Sequence, residues 1–309
     1  MRKPWIVGAL LSAVLLLGAC GDPSSGAAAA PPTPTLPGTA AATTHQPQQA
    51  PASPSTSPRA RPAVAPRVLY LGDSLAMEAQ NVLGQELRRD LGATYTSAPY
   101  SGTTPCDYLE GTGEKSLVPN AAKAAALVRA QHPDYVVLQF WGNAWAYTWC
   151  MDGITYDAAR KTYFARYEAD MRRLTAQIAD AGGARRPKIV WVLQGPDPIT
   201  PDRVRRVNAL YEKQAAASGD LVADAGATVS PAGARYTWSQ YLPCTAYEHG
   251  HPDYCTDPGD DRTALHLDKD YLHFCLVPTT STPKPCPVRS PGILRIGREI
   301  TRVIGEDVS

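Results

Sequence analysis

A serine hydroxyl is a poor nucleophile until a base takes its proton and a set of N–H donors receives the oxyanion it creates. Four parts of this sequence could supply that chemistry. Val68-Leu69-Tyr70-Leu71 is a buried-type strand that runs into Gly72-Asp73-Ser74-Leu75, a turn that presents the Ser74 hydroxyl. Towards the other end, Asp270-Tyr271-Leu272-His273 sets an acid three residues before a histidine. If that segment makes one helical turn, the carboxylate can hold the imidazole in a single tautomer. Between them, Ser101-Gly102-Thr103 and Gly142-Asn143 each follow an expected strand, where backbone N–H groups and an amide side chain could face one point. Asp73 is assigned support only, because an aspartate beside such a turn bonds its own backbone.

The elements that must position these groups alternate strand and helix. Strands are expected at 67–71, 93–98, 134–140, 188–193 and 221–224. A helix leaves the Ser74 turn with Met77, Leu83, Leu87 and Leu91 near helical spacing and Glu78, Glu86, Arg88 and Arg89 interleaved. An Ala-rich helix is expected at 120–131, and Tyr163, Tyr167, Met171, Leu174 and Ile178 recur every three or four residues on a long one. A fourth helix starts at Pro201, a first-turn position that proline tolerates, and a closing helix spans 293–304. The alternation argues for a parallel sheet covered on both faces, so the expected fold class is α/β, a single flavodoxin-like three-layer domain with a five-stranded parallel sheet. If the strand order is of the 2-1-3-4-5 kind, the strands leading to Ser74 and Asn143 are neighbours and the crevice lies between them. Residues 228–290 lack clear periodicity and are expected to be a disulfide-braced loop region that delivers His273.

Together these stations resemble the SGNH (GDSL-type) hydrolase family over roughly residues 67–306, with Gly72-Asp73-Ser74-Leu75 matching its first station unchanged. The resemblance implies the SGNH hydrolase fold, Ser74 as nucleophile, His273 as base and Asp270 as orienting acid. It also implies an oxyanion hole from the backbone N–H of Ser74, the backbone N–H of Gly102 and the side-chain amide of Asn143. The third station departs from the common Gly-x-Asn-Asp pattern, since Trp141 precedes Gly142 and Ala144 follows Asn143. This bears on what supports Asn143, not on the amide itself. The wording Gly102-Thr103-Thr104-Pro105-Cys106-Asp107, Phe140-Trp141-Gly142-Asn143-Ala144 and His273-Phe274-Cys275 is also similar to an actinobacterial subgroup of exported members.

The first residues read as an export signal. Arg2 and Lys3 precede an apolar run from Trp5 to Leu17 and then Leu17-Gly18-Ala19-Cys20, a lipoprotein signal peptide (1–19) with lipidation expected on Cys20. Residues 20–66 are almost wholly Ala, Pro, Thr, Ser, Gly and Gln and read as a disordered tether, leaving 67–309 as the hydrolase domain. A lipidated Cys20 would hold the protein on the extracytoplasmic face of the cell membrane. The formal net charge of +1 argues against nucleic acid as a partner.

Cysteine usage agrees with export, since Cys106, Cys150, Cys244, Cys255, Cys275 and Cys286 remain as an even set. Sequence alone does not fix their pairing. The pairing chosen is Cys106–Cys150, Cys244–Cys255 and Cys275–Cys286, because the last two close short loops and the first would tie the Gly102 loop to the Asn143 loop. Zinc is the rival reading, but there is no Cys-x-x-Cys pair, and no metal is expected. His249, His251, His266, Asp253 and Asp268 are read as solvated loop residues. Trp141, Trp145, Tyr147 and Trp149 could line an acyl or sugar site or pack around a disulfide.

The expected activity is that of an extracytoplasmic serine esterase acting on carboxylic esters through an acyl-enzyme, without a cofactor and as a monomer. The partner is an ester substrate, in one form an acylated cell-envelope glycan or lipid. One alternative keeps the acyl-enzyme and acts as an O-acyltransferase or deacylase on envelope glycans. Another is a non-catalytic glycan-binding protein on the same scaffold.

Overall fold

The structure is a computed structural model that describes residues 64–141, 143, 145–278 and 285–309. The signal peptide, Cys20 and nearly all of the expected tether lie outside the described residues, as do Gly142 and Ala144. Five strands, β1 (Arg67–Gly72), β2 (Thr94–Ser97), β3 (Tyr135–Gln139), β4 (Lys188–Val192) and β5 (Leu221–Ala223), form one sheet in the order β2-β1-β3-β4-β5. Every pairing in it is parallel. The α/β fold with a five-stranded parallel sheet, expected from the alternation, is therefore what the chain adopts.

The period-2 geometry of the strands splits the core between two faces. Val68, Tyr70, Val137, Val190 and Val192 point to one face, where helices α1 (Ser74–Leu91) and α7 (Pro291–Asp307) cover them. Leu69, Leu71, Val136, Leu138, Ile189 and Trp191 point to the other, under α2 (Ala124–Gln131), α3 (Arg160–Gly182) and α4 (Pro201–Ser218). Ile293, Ile296, Ile300 and Ile304 line the buried face of α7 at helical spacing, and each contributes roughly 1.5–3 kcal/mol by leaving water. Two single-turn helices, α5 (Ala225–Thr228) and α6 (Ala246–His249), lie between α4 and α7.

Three local expectations are corrected. The helix expected over 120–131 begins at Ala124, because Lys123 is extended and buries its ammonium on Asp107 O, Thr112 Oγ1 and Ser116 Oγ. Residues 228–290 are not loop alone: β6 (Tyr241–Pro243) and β7 (Arg262–Ala264) pair antiparallel in a second sheet. Strands of three residues are too short to show alternation in sequence. Finally, His266 is buried rather than solvated, while His249, His251, Asp253 and Asp268 are exposed. The chosen pairing of cysteines is the one present, Cys106–Cys150, Cys244–Cys255 and Cys275–Cys286.

Candidate active site

The turn that carries Ser74 is set by the junction of β1 and β3. Gly72 faces Gln139 in register, and a Cβ at Gly72 would lie 2.0 Å from the Gln139 carbonyl oxygen, so only glycine lets the strands stay this close. Asp73 then ties three segments together. Its N–H donates to Gln139 O at 3.1 Å, its Oδ1 accepts from Leu75 N at 3.0 Å, and its Oδ2 accepts from Trp141 N at 2.9 Å. It caps α1 as it does so, which leaves Ser74 as the first residue of an 18-residue helix, at the positive end of the helix dipole.

His273 reaches this point from the far end of the chain. Its Nε2 lies 3.1 Å from Ser74 Oγ, and its Nδ1 lies 3.2 Å from both carboxylate oxygens of Asp270. With Nδ1–H donating to Asp270, Nε2 is left to accept the serine proton. Asp270 Oδ1 also accepts the backbone N–H of Leu272 and His273, at 3.2 and 3.0 Å. Burial alone would raise the Asp270 carboxyl, but the bonds from the His273 ring and backbone outweigh it and hold it at about 2. Burial pulls the imidazole down, whereas the Asp270 bond and the charges of Glu78, Asp270 and Asp73 carry it up to about 9.

Gly102 and Asn143, the expected oxyanion donors, lie on the segments that follow β2 and β3. Gly102 has φ +74°, a left-handed conformation that favours glycine. Tyr108 anchors the start of this loop: its buried hydroxyl accepts the Tyr100 N–H at 3.1 Å and lies 2.8 Å from Gly72 O and 2.9 Å from Ala98 O. Asp107, also buried, accepts from Thr104 N at 2.9 Å and from Thr148 Oγ1 at 2.6 Å, beside the Cys106–Cys150 bridge. The Gly102 and Asn143 loops are thus joined twice. They also meet directly, since Asn143 Nδ2 donates to Gly102 O. A primary amide has a second N–H for another acceptor.

Support for Asn143 comes from side chains remote in sequence. Tyr163 OH donates to Asn143 O at 3.2 Å, and Asn143 Oδ1 accepts from Trp145 N at 3.2 Å. The buried Arg203 donates to Trp141 O at 3.2 Å and is itself paired with Asp197 at 3.1 Å. The four aromatics near Asn143 divide: Trp141 is buried edge-on against Phe274, with ring centroids 5.4 Å apart, Trp145 is half-buried, and Tyr147 and Trp149 are exposed.

Two residues that sequence reasoning did not assign lie behind the histidine. Glu78, buried on α1, accepts from Phe274 N at 2.9 Å through Oε1 and from Cys275 N at 3.3 Å through Oε2. His266 Nδ1 lies 2.8 Å from His273 O, and its ring stacks on Trp238. The signal for Glu78 was its spacing, four residues after Ser74 and so on the same helix face. Among the described residues, the one group of three with metal-ligand geometry is Cys244, Cys255 and Asp261, and its two sulfurs are bonded to each other. No described helix is long and apolar enough to cross a membrane.

No protein-family model matches this chain, and no curated protein matches it in sequence. Solved structures similar to it include a lipolytic protein of the G-D-S-L family from Desulfitobacterium hafniense, 14% identical, with TM-score 0.42, covering 77% of this chain and 98% of that one. The family 3 carbohydrate esterase of Clostridium thermocellum is 12% identical, with TM-score 0.44 over 79% of this chain and 98% of its own. The C-terminal catalytic domain of Streptococcus pneumoniae peptidoglycan O-acetyltransferase A is 16% identical, with TM-score 0.35 over 79% and 97%.

Proposed function

We propose that this chain is an exported, lipid-anchored serine hydrolase of the SGNH kind that cleaves carboxylic esters. The observation that carries the reading is one imidazole between two partners, Nε2 at 3.1 Å from Ser74 Oγ and Nδ1 at 3.2 Å from Asp270. Ser74 Oγ attacks the acyl carbon as its proton passes to His273 Nε2. The carbonyl π bond opens to an oxyanion, which the N–H groups of Ser74 and Gly102 and the free N–H of Asn143 receive. Collapse re-forms the carbonyl and expels the alkoxide, which leaves as alcohol with the proton from His273. Water, deprotonated by the same imidazole, then attacks the acyl-enzyme and releases the acid and Ser74. Asp270 stays ionised throughout and keeps Nδ1 protonated.

Three disulfides among the described residues support an oxidising compartment, in line with the signal and lipidation read at Cys20. The test is hydrolysis of short- and medium-chain nitrophenyl esters by the oxidised protein beside Ser74→Ala. Nitrophenol release by the parent and not the variant supports the reading. Faster release on adding sugar acceptors, with acylated sugar formed, would replace hydrolysis by acyl transfer. No release under either condition, with glycan affinity intact in Ser74→Ala, would leave a binding protein.

A further inference from the structure

Glu78 is a carboxylate sealed between α1 and the segment that delivers His273. It is 1% exposed, and its two oxygens take two successive backbone N–H groups, those of Phe274 and Cys275. Its own carbonyl takes the Cys286 N–H at 3.0 Å, so one residue holds both ends of the Cys275–Cys286 bridge. Ser74 stands one helical turn before it. We propose that Glu78 is a positioning residue that fastens the His273 segment to the helix carrying Ser74 and so sets the distance between base and nucleophile. The inference rests on the hydrolase reading only for what is being positioned, since the fastening itself is a property of the fold.

Chemistry favours this over a packing role. Burying a carboxylate is costly unless it is well bonded, and an apolar side chain of the same size would leave two buried N–H groups without acceptors. The charged groups that face it are His273 and Asp270 on the delivered segment; the Tyr70 hydroxyl on β1 feels both Glu78 and Asp73. Burial pushes Glu78 up to about 7, with the His273 charge and the two backbone bonds opposing that rise. Protonation turns one acceptor oxygen into a hydroxyl, so the hold on Phe274 and Cys275 weakens as the pH falls through neutrality. The ionised form also stabilises the His273 imidazolium.

The experiment is NMR titration of the oxidised, isotope-labelled full chain, with ester turnover measured in parallel. In the parent, the Phe274 and Cys275 amides should shift together with the Glu78 carboxyl carbon, with a midpoint near 7. In Glu78→Gln, which keeps the shape but loses the charge and one acceptor, the His273 midpoint should fall by about one pH unit. Its kcat should drop roughly tenfold with KM within about twofold, as expected for lost transition-state geometry. A purely structural role would not move the His273 midpoint. An unchanged midpoint in Glu78→Gln overturns the inference, as do parent amides that ignore the Glu78 titration, which decides the matter should the variant not fold. A parent that shows these couplings but hydrolyses no ester keeps the role of Glu78 and removes the proposed function; active protein without the couplings does the reverse.

Discussion

Asp73 Oδ2 accepts the Trp141 N–H at 2.9 Å, a bond that joins the turn before Ser74 to the segment that leads to Asn143. These are the ends of β1 and β3, neighbours in a parallel sheet whose strand order reverses direction at β1. Ligand crevices form at such switch points, because the connections on the two sides leave in opposite directions. Here one carboxylate fixes both the turn after β1 and the segment after β3.

Asp73→Asn tests that bond. The amide can keep one acceptor oxygen but turns its NH2 toward an N–H, leaving Leu75 or Trp141 unsatisfied in a buried site. Urea unfolding should show a loss of about 1–3 kcal/mol, and kcat should fall because Ser74 and Asn143 lose their common anchor. Unchanged stability would mean that the turn is set by Gly72 alone.

Asn143→Ala removes the amide proposed to receive the oxyanion, together with its bond to Gly102 O. The expected result is a decrease of about 10²–10³ in kcat with little change in KM. A similar loss in KM would show that Asn143 binds the ground state instead.

In the proposed mechanism His273 must be neutral to act as base, and the pH dependence follows from that. Raised from 6.5 to about 9, His273 makes kcat/KM climb with pH and level off above roughly that value. Stability should show the opposite trend. The raised His273 contributes stabilisation that is complete below 6.5 and lost as the pH rises through 9. Asp270, lowered from 3.8 to about 2, contributes above 3.8 and loses it as the pH falls toward 2. Glu78, raised from 4.5 to about 7, costs stability progressively between those values. Urea midpoints across the range should therefore peak near pH 4–5, and a peak above pH 8 would contradict these assignments.

The disulfides should differ in their effect on turnover. Replacing Cys106 and Cys150 by serine should cost about 2–4 kcal/mol and also lower kcat, because that bridge joins the Gly102 and Asn143 loops. Replacing Cys244 and Cys255 should cost stability with a smaller effect on kcat, since both lie in the connection between β6 and β7. Equal effects on kcat would show that the first bridge does not brace the site.

The main sheet could be read from sequence because parallel strands buried on both faces appear as unbroken apolar runs, as at Val68–Leu71 and Val136–Leu138. Ser74, Asp270 and His273 could be picked out as candidate residues, but the sheet order does not bring segments 199 residues apart together; the bonds from Phe274 and Cys275 to Glu78 on α1 do. Their supports could not be picked out. Glu78 and Glu86 look like any acids on an amphipathic helix, although both are buried. Arg203 and Tyr163 reach the Asn143 loop from α4 and α3, contacts that no local pattern encodes. His266 sits among charged loop residues in sequence, yet it packs on Trp238 and against Phe274.

The most direct measurement is covalent trapping. The oxidised full chain is treated with a nitrophenyl phosphonate ester and the adduct located by peptide mass spectrometry, with Ser74→Ala and His273→Ala alongside. The proposed chemistry predicts stoichiometric phosphonylation of Ser74, none in Ser74→Ala and far slower labelling in His273→Ala. An unmodified Ser74 in protein that still hydrolyses esters would contradict it.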